Sequence, residues 1–228
     1  RKRTILMIEV LYEDNHIIAV NKKSGDLVQG DKTGDKPLSE FVKDYLREKY
    51  NKPGNVFCGI IHRLDRPVSG LVLFAKTSKA LSRMNELFRT KFIQKTYWAI
   101  VENAPHKTHG SLEHYLIKNQ QKNKSHAYLK PHTGALKALL NYKTLKHLDR
   151  YTLLEINLIS GRHHQIRVQL SAINSIIKGD LKYGAKRSNK DASICLHARE
   201  INFVHPIKKE VVKICAQPPK NAIWKACL

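Results

Sequence analysis

The sequence predicts an α+β fold with a largely antiparallel sheet, and three observations lead to this fold class. Short apolar segments of strand length outnumber segments with helical periodicity, and the clearest of them is the continuous run at 71–75. Turn-forming residues separate neighbouring segments, as at 13–15. The 228 residues contain no internal repeat, and 42% of them are hydrophobic, so a folded core is expected.

Three segments carry apolar residues at helical spacing and predict helices over 37–49, from 78 to about 89, and over 162–173. Pro37 suits a first helical turn, and Thr77-Ser78 suits a cap. Strands are predicted over 5–11, 16–20, 59–61, 71–75, 96–101, 139–145, 151–158, 194–196, 200–204 and 210–214. The Gly-, His- and Lys-rich stretch 103–136 predicts hairpins and mobile basic loops, with short strands only at 112–117 and 127–129.

The charge balance is the strongest compositional signal. The chain has 41 Lys and Arg residues against 19 Asp and Glu residues, a formal net charge of +22. An excess of this size is typical of proteins that bind a polyanion, most often nucleic acid. The alternative is a heavily solvated, lysine-rich surface without such a partner.

Composition argues against several other classes of protein. No apolar run approaches the ~20 residues that a membrane span needs, so no membrane partner is expected. Cys58, Cys195, Cys215 and Cys227 form no CxxC pair, which argues against a disulfide framework and against a zinc or other metal site. With no secretory signal, a reducing cytoplasm is the expected location.

The chain length suits one compact catalytic-size domain, of one lobe or two, which is expected over 7–228. The segment 1–6 is expected to be a lead-in or a remnant outside the fold. A monomer is the default expectation.

The first candidate site lies at 61–70, where Asp65 stands between Arg63 and Arg66 ahead of a predicted buried strand. Nearby cations should keep this carboxylate ionised. An anionic carboxylate in a basic surrounding suits a nucleophile or a base that acts on RNA. A structural ion pair on a turn is an equally good interpretation of the same residues.

The second candidate site is the donor-rich joint at 160–168, which carries Arg162, His163, His164, Gln165 and Arg167. Such a joint suits contact with phosphates or the orientation of a carboxylate. The alternative is a solvated first turn of a helix.

Two further patterns are weaker. Tyr97, on a predicted strand, suits stacking on a nucleobase, although a lone strand tyrosine is more often part of the core. Strand alternation places Tyr97 and Trp98 on opposite faces. The Gly- and Lys-containing turn at 177–185 is not specific by itself.

His62-Arg-Leu-Asp65, followed by Ser69-Gly-Leu-Val-Leu-Phe-Ala-Lys76, resembles the signature of the RluA-type pseudouridine synthase family. Further motifs agree with that family in order and spacing, and the resemblance spans roughly 8–215. These motifs are Asn21-Lys-Lys-Ser-Gly25, Lys95-Thr-Tyr97, Gly161-Arg-His-His-Gln-Ile-Arg167, Gly179-Asp-Leu-Lys-Tyr-Gly184 and Leu196-His-Ala198.

The resemblance implies a cofactor-free isomerisation of uridine to pseudouridine in rRNA or tRNA. It makes Asp65 the essential catalyst, either by attack on the sugar or base or by removal of a ribose proton. It makes Tyr97 the residue that stacks on the target base, and Arg167 the partner of the catalytic carboxylate. Arg63 would fill the gap that a flipped nucleotide leaves.

The resemblance also implies the family's pseudouridine synthase fold, a mixed, mostly antiparallel central sheet with flanking helices and a basic RNA cleft. The residues expected to contact RNA are Arg63, His62, Arg162, His164, Lys76 and Leu196. The basic stretches 118–130 and 182–190 are further candidates for RNA contact, or are solvated loops. The first catalytic strands are expected to begin near Met7, so no S4-type RNA-binding domain is expected before the catalytic part.

The sequence departs from the family pattern at Lys23, Val68, Gln169, Asn174 and Ile176. None of these positions is Asp65, Tyr97 or Arg167, so catalysis is expected to be retained. Two other functions compete with an isomerase: a non-catalytic RNA-binding or chaperone protein, and a nuclease that uses two of the 12 histidines.

Overall fold

The computed structural model describes residues 8–228. The predicted lead-in 1–6 and the start of the strand predicted over 5–11 lie outside these residues. The chain divides into two compact units, one from 1–93 and 200–217 and the other from 94–199 and 218–228. The single domain expected over 7–228 stays a prediction.

Eleven strands, four α-helices and one 3₁₀ helix form the described part of the chain, and the α+β fold class is confirmed. The strands are β1 (Glu9–Glu13), β2 (Ile17–Lys22), β3 (Gly59–Ile60), β4 (Ser69–Ala75), β5 (Gln94–Val101), β6 (His109–Asn119), β7 (Lys124–Tyr128), β8 (Leu136–His147), β9 (Thr152–Leu158), β10 (Leu196–Val204) and β11 (Val211–Cys215). The helices are α1 (Leu38–Lys49), α2 (Ser78–Arg89), α3 (Gln165–Ala172) and α4 (Ala222–Lys225), with the 3₁₀ helix at Leu181–Tyr183.

The first unit is built on antiparallel strands. β2 pairs with β1 on one side and with β4 on the other, β3 also pairs with β4, and the end of β10 pairs with β11. One face of β2 and β4 packs against α1, where Val20 and Phe74 meet Val42 and Leu46. Every residue of β4 is buried, as the apolar run predicts.

The first two helices agree with their predicted ranges because their signals are local. Pro37 is the N-cap residue of α1, and the Thr77 side chain accepts a hydrogen bond of 3.1 Å from the Ala80 N–H at the start of α2. Among residues 8–228, no helix is long and apolar enough to cross a membrane.

The second unit contains an antiparallel series in which β5 pairs with β9, β9 with β8, β8 with β6, and β6 with β7. α3 covers part of one face of this series. Val168 of α3 packs with Leu116, Ala138 and Tyr183 in a buried apolar cluster.

The stretch 103–136 contains a hairpin, as predicted, but strands occupy part of what was predicted as mobile loops. β6 runs over 11 residues and β7 over five, and both are longer than the predicted short strands. Side chains on one face are buried, as at His114 and Leu116, while neighbouring positions on the other face are more exposed. Solvated Lys, His and Asn residues on the second face give this stretch the composition of a loop.

Other boundaries also differ from prediction, and two of them have a clear physical reason. α3 begins at Gln165 and not at Arg162, because His164 has a left-handed φ of 53° and the Gln165 side chain accepts the Arg162 N–H at 3.0 Å. The strands predicted at 194–196 and 200–204 are one strand, β10. The charged Arg199 between them is accommodated because its guanidinium lies 4.6 Å above the Trp98 ring.

Candidate active site

Asp65 lies on the tight loop between β3 and β4 in the first unit. The loop closes through a hydrogen bond of 3.0 Å from the Val68 N–H to the Asp65 carbonyl oxygen. Asp65 is half-buried and its arginine neighbours are exposed. Arg66 forms an ion pair of 2.7 Å with Asp35, while Arg63 Nη1 lies 3.4 Å from Gln29 Oε1. The buried strand β4 therefore anchors a loop that presents one carboxylate between two exposed cations.

A buried lysine supports this loop from the adjacent segment of β2. Lys22 is 1% exposed, and its ammonium donates to the carbonyl oxygens of Lys23, Arg66 and Val68 at 3.0, 3.1 and 2.6 Å. Gly25, with a φ of 95°, also donates its N–H to the Arg66 carbonyl oxygen at 2.8 Å. The segment 21–25 was noted only as a matching motif. Only the structure shows that Lys22 contacts the Asp65 loop.

Burial of the Lys22 ammonium lowers its pKa to about 8, although the negative charges of Asp26 and Asp65 act in the opposite direction. We expect Lys22→Met to lower the free energy of unfolding by about 3 kcal/mol, because three carbonyl oxygens lose a charged donor. Urea unfolding measures this change. Lys23→Met is the matched control, since Lys23 is exposed; an equal loss in both variants would contradict the supporting role of Lys22.

His62 is held by contacts within the first unit. Its Nε2 accepts a hydrogen bond of 3.0 Å from the Leu73 N–H, which places the ring proton on Nδ1. The ring also stacks on Phe88, with centroids 5.1 Å apart. These contacts fix the start of the Asp65 loop against β4 and α2. The expected RNA contact of His62 stays a prediction.

The ammonium of Lys76 is engaged by a carboxylate. The Lys76 side chain is 7% exposed, and its Nζ lies 2.8 Å from Glu13 Oε1 and 2.6 Å from the Asp14 carbonyl oxygen. The ammonium also lies 4.7 Å above the Tyr50 ring. These contacts place Lys76 in the packing of the first unit, and its expected RNA contact stays a prediction.

The contacts of Glu13 can be tested by the pH dependence of stability. Burial by itself would raise the pKa of Glu13, but hydrogen bonds from Lys49, Lys76, Tyr50 and Tyr45 lower it from 4.5 to about 2. A carboxylate whose folded pKa is lowered stabilises the fold above its unfolded pKa, and this contribution is lost as the pH falls toward the folded value. We therefore expect the stability difference between wild type and Glu13→Gln to be largest at neutral pH and to shrink between about pH 4.5 and pH 2. Urea unfolding across this range measures it, and a pH-independent difference would contradict the assignment.

In the second unit, Tyr97 lies on β5 opposite Ile156 of β9 and is 9% exposed. Trp98, on the other face, stacks with Arg199, as the predicted alternation requires. Leu196, at the start of β10, is 4% exposed. Both predicted base-contact residues are therefore largely buried side chains on strands.

Arg167 binds Asp180 through two parallel hydrogen bonds. Arg167 Nε and Nη2 lie 2.7 and 2.8 Å from the two carboxylate oxygens of Asp180. Arg167 is 5% exposed and Asp180 is 1% exposed. This two-point contact fixes the plane of the guanidinium. The sequence shows Asp180 only as part of the motif at 179–184, and its contact with Arg167 is seen only in the structure.

Gly179 explains why this motif begins with glycine. Its φ is 88°, and a Cβ there would lie 2.6 Å from Asn189 Nδ2 and 2.7 Å from the Ser193 carbonyl oxygen. Both the backbone conformation and the close approach exclude a side chain. The glycine thus allows the turn that brings Asp180 to Arg167.

Tyr183 contacts Arg167 and also two residues outside the ion pair, Ser125 and His164. Burial raises the pKa of Tyr183, so its hydroxyl stays protonated. The hydroxyl accepts the Ser125 N–H at 2.8 Å and forms a second hydrogen bond of 2.8 Å with His164 Nδ1. The Arg167 guanidinium lies 5.1 Å from the centre of the Tyr183 ring.

The other predicted residues of this joint have different surroundings. His164 is buried beside Tyr183 and stacks on His163, with ring centroids 3.7 Å apart. Arg162 is exposed and donates from Nε to the Lys137 carbonyl oxygen at 3.2 Å. The structure thus brings Arg167 and His164 together around Tyr183, and leaves Arg162 on the surface. Within residues 8–228, no group of three or more His, Cys, Asp or Glu side chains is arranged to hold a metal ion.

Comparison with known proteins identifies a family and named relatives. Residues 16–172 match a family model described as RNA pseudouridylate synthase. A tRNA pseudouridine synthase C from Vibrio vulnificus (strain CMCP6) is 32% identical over 237 residues, which cover 96% of this chain and 93% of that protein. A ribosomal large subunit pseudouridine synthase C from Buchnera aphidicola subsp. Baizongia pistaciae (strain Bp) is 34% identical over 227 residues, which cover 96% of this chain and 69% of that protein.

Two solved structures have a similar fold. Human RNA pseudouridylate synthase domain containing 4 has a TM-score of 0.79 at 22% identity, over 95% of this chain and 90% of that chain. Human RNA pseudouridylate synthase domain containing 1 has a TM-score of 0.77 at 22% identity, over 100% of this chain and 90% of that chain. At this level of identity the similarity concerns the fold.

Proposed function

We propose a mechanism and a substrate from the premise that this chain belongs to the RNA pseudouridylate synthase family and is an isomerase that acts on RNA. The proposed reaction converts selected uridines of tRNA or rRNA to pseudouridine. The bond between N1 of uracil and C1′ of ribose breaks, the uracil turns over, and a bond forms between C5 and C1′. The proton at C5 leaves, and N1 gains a proton.

Asp65 is the proposed catalyst, and the observation that carries this proposal is its anchored loop. Lys22, Ser24 and Gly25 all bind main-chain oxygens of the residues that follow Asp65. These contacts end on main-chain oxygens and fix the backbone of the loop that carries Asp65. A carboxylate placed in this way suits attack on the sugar or base, or removal of a ribose proton.

Tyr97 and Arg167 are the proposed partners of Asp65 in catalysis, and their roles follow from the family resemblance. Tyr97 stacks on the target base, and Arg167 is the arginine that the family assigns to the catalytic carboxylate. The buried bidentate contact with Asp180 supports the role of Arg167, because it restricts the guanidinium to one orientation. Arg63, exposed on the Asp65 loop, is proposed to fill the space of a flipped nucleotide.

The proposed substrate class, tRNA or rRNA, rests on the net charge of the chain and on the names of its relatives. Relatives at about one-third identity are named for tRNA and for the large ribosomal subunit. The net charge of +22 supports binding to a polyanion of either kind. The proposed reaction consumes no water and no redox equivalent, so we propose that it needs no cofactor.

Release of tritium from carbon 5 of uracil tests the proposed function. Purified protein is incubated with tRNA and with unmodified rRNA that carry this label, with and without a metal chelator. We expect release from one RNA pool in both conditions. Shortening of the RNA without tritium release would instead identify a nuclease, and a stable complex without release would identify a binding protein; either result would overturn the proposal.

A further inference from the structure

Two basic segments that are far apart in sequence meet in the second unit. The turn between β6 and β7, at 120–123, lies against the 3₁₀ helix. Lys182 Nζ donates to the Asn123 carbonyl oxygen at 3.1 Å, and Lys124 Nζ lies 5.2 Å above the Tyr183 ring. We call Lys122, Lys124 and Lys182 the turn surface.

The turn surface lacks carboxylates. The sequence contains no Asp or Glu at 114–148 and none at 181–190. All three lysines are exposed, and none has an ion-pair partner among residues 8–228. Like charges held close together repel one another, and a polyanion relieves this repulsion.

The turn at 120–123, which carries Lys122, is held by hydrogen bonds. Asn119 Oδ1 accepts the Lys122 N–H at 2.9 Å, and the Gln120 carbonyl oxygen accepts the Asn123 N–H at 3.3 Å. His163 Nε2 lies 3.1 Å from Asn123 Oδ1, which connects the turn to the residues that precede α3. A ligand that binds these cations therefore orders little backbone on binding, and the entropic cost of binding is small.

The turn surface lies beside the proposed catalytic arginine within this unit. The Tyr183 ring that contacts Lys124 also lies 5.1 Å from the Arg167 guanidinium. An RNA strand that reaches Arg167 would thus pass close to Lys124. Lysine ammonium groups act as point charges and suit phosphates better than base edges.

We propose that the turn surface binds the phosphodiester backbone of the substrate RNA close to the target nucleotide, without reading its sequence. This inference rests on the proposed function, because it takes RNA as the substrate. It assigns a role in binding to Lys122, Lys124 and Lys182, which the motif analysis did not distinguish from other basic residues of 118–130 and 182–190.

A charge-matched pair of variants tests the proposal. The first combines Lys122→Gln, Lys124→Gln and Lys182→Gln. The control combines Lys107→Gln, Lys143→Gln and Lys146→Gln, which remove the same charge at the other end of β6, where Lys143 pairs in register with His109. Gel shifts at about 50 to 200 mM salt give the affinity for RNA and its salt dependence.

We expect the first variant to bind RNA at least about tenfold more weakly than the wild type, with a salt slope reduced by about 2 to 3. Its KM for RNA should rise, while the control keeps the wild-type affinity and KM. Equal losses in both variants would show a general charge effect, and an unchanged first variant would show that RNA does not contact this turn; either would overturn the proposal. Absence of pseudouridine formation by the wild type would overturn the proposed function instead, and the binding comparison would still decide the role of the turn surface.

Discussion

The Asp65→Asn variant is expected to form pseudouridine at least about 1,000-fold more slowly than the wild type. An amide has the shape of the carboxylate but not its charge, so it can act neither as a nucleophile nor as a base. The reaction is therefore expected to fail under either proposed role of Asp65. Tritium release from RNA labelled at carbon 5 measures the rate.

Folding is not expected to explain this loss. The contacts of Lys22 and Ser24 with the loop end on main-chain oxygens, which the substitution keeps. RNA affinity in gel shifts and the urea unfolding curve serve as controls within the variant. Asp31→Asn, at an exposed carboxylate of the first unit, is the matched substitution and should keep the wild-type rate. A residual rate above about one-tenth of wild type would remove Asp65 from the chemistry.

The Asp180→Asn variant is expected to lose about 3–5 kcal/mol of unfolding free energy, because the buried Arg167 guanidinium would lose the carboxylate that binds it at two points. Asp180 and Arg167 are 1% and 5% exposed, so water does not replace the lost partner. Urea unfolding measures the change. Asp44→Asn removes a carboxylate from an exposed ion pair of 2.6 Å with Arg47, and should cost less than about 1 kcal/mol.

A double variant tests whether the loss of stability comes from breaking the charge pair between Arg167 and Asp180. Arg167→Met combined with Asp180→Leu removes both charges, and we expect it to recover much of the stability that Asp180→Asn loses. It should still form no pseudouridine, because Arg167 is absent. A stability loss for Asp180→Asn as small as that for Asp44→Asn would contradict the importance of this pair.

Local sequence signals identified the elements whose stabilising contacts are also local. α1 and α2 follow from an apolar stripe and from a cap at Pro37 or Thr77, all within a few residues of each helix. β6 and β7 were predicted only in part, as short strands at 112–117 and 127–129, because β6 also pairs with β8, as in Tyr115 with Lys137. Strand pairing overrides a composition that is typical of loops.

In the candidate site, too, the sequence indicated some residues and only the structure showed others. The order of motifs around Asp65, Tyr97 and Arg167 was sufficient to indicate the family, and the family match confirms it. The residues that support these side chains were not recognised, because a motif does not state its contacts. Lys22 reaches carbonyl oxygens of residues more than 40 positions away, and Asp180 binds Arg167 across 13 positions.

The sequence by itself determined the fold class, the family and an excess of positive charge, since all three depend on composition and on the order of short motifs. Only the tertiary structure decided which cations have a partner. Lys76 is bound by Glu13 and Arg167 by Asp180, while Lys122, Lys124 and Lys182 have no carboxylate partner in the described part of the chain. An ion pair depends on a separation of a few ångströms in space, and folding brings residues to that distance irrespective of their separation along the chain.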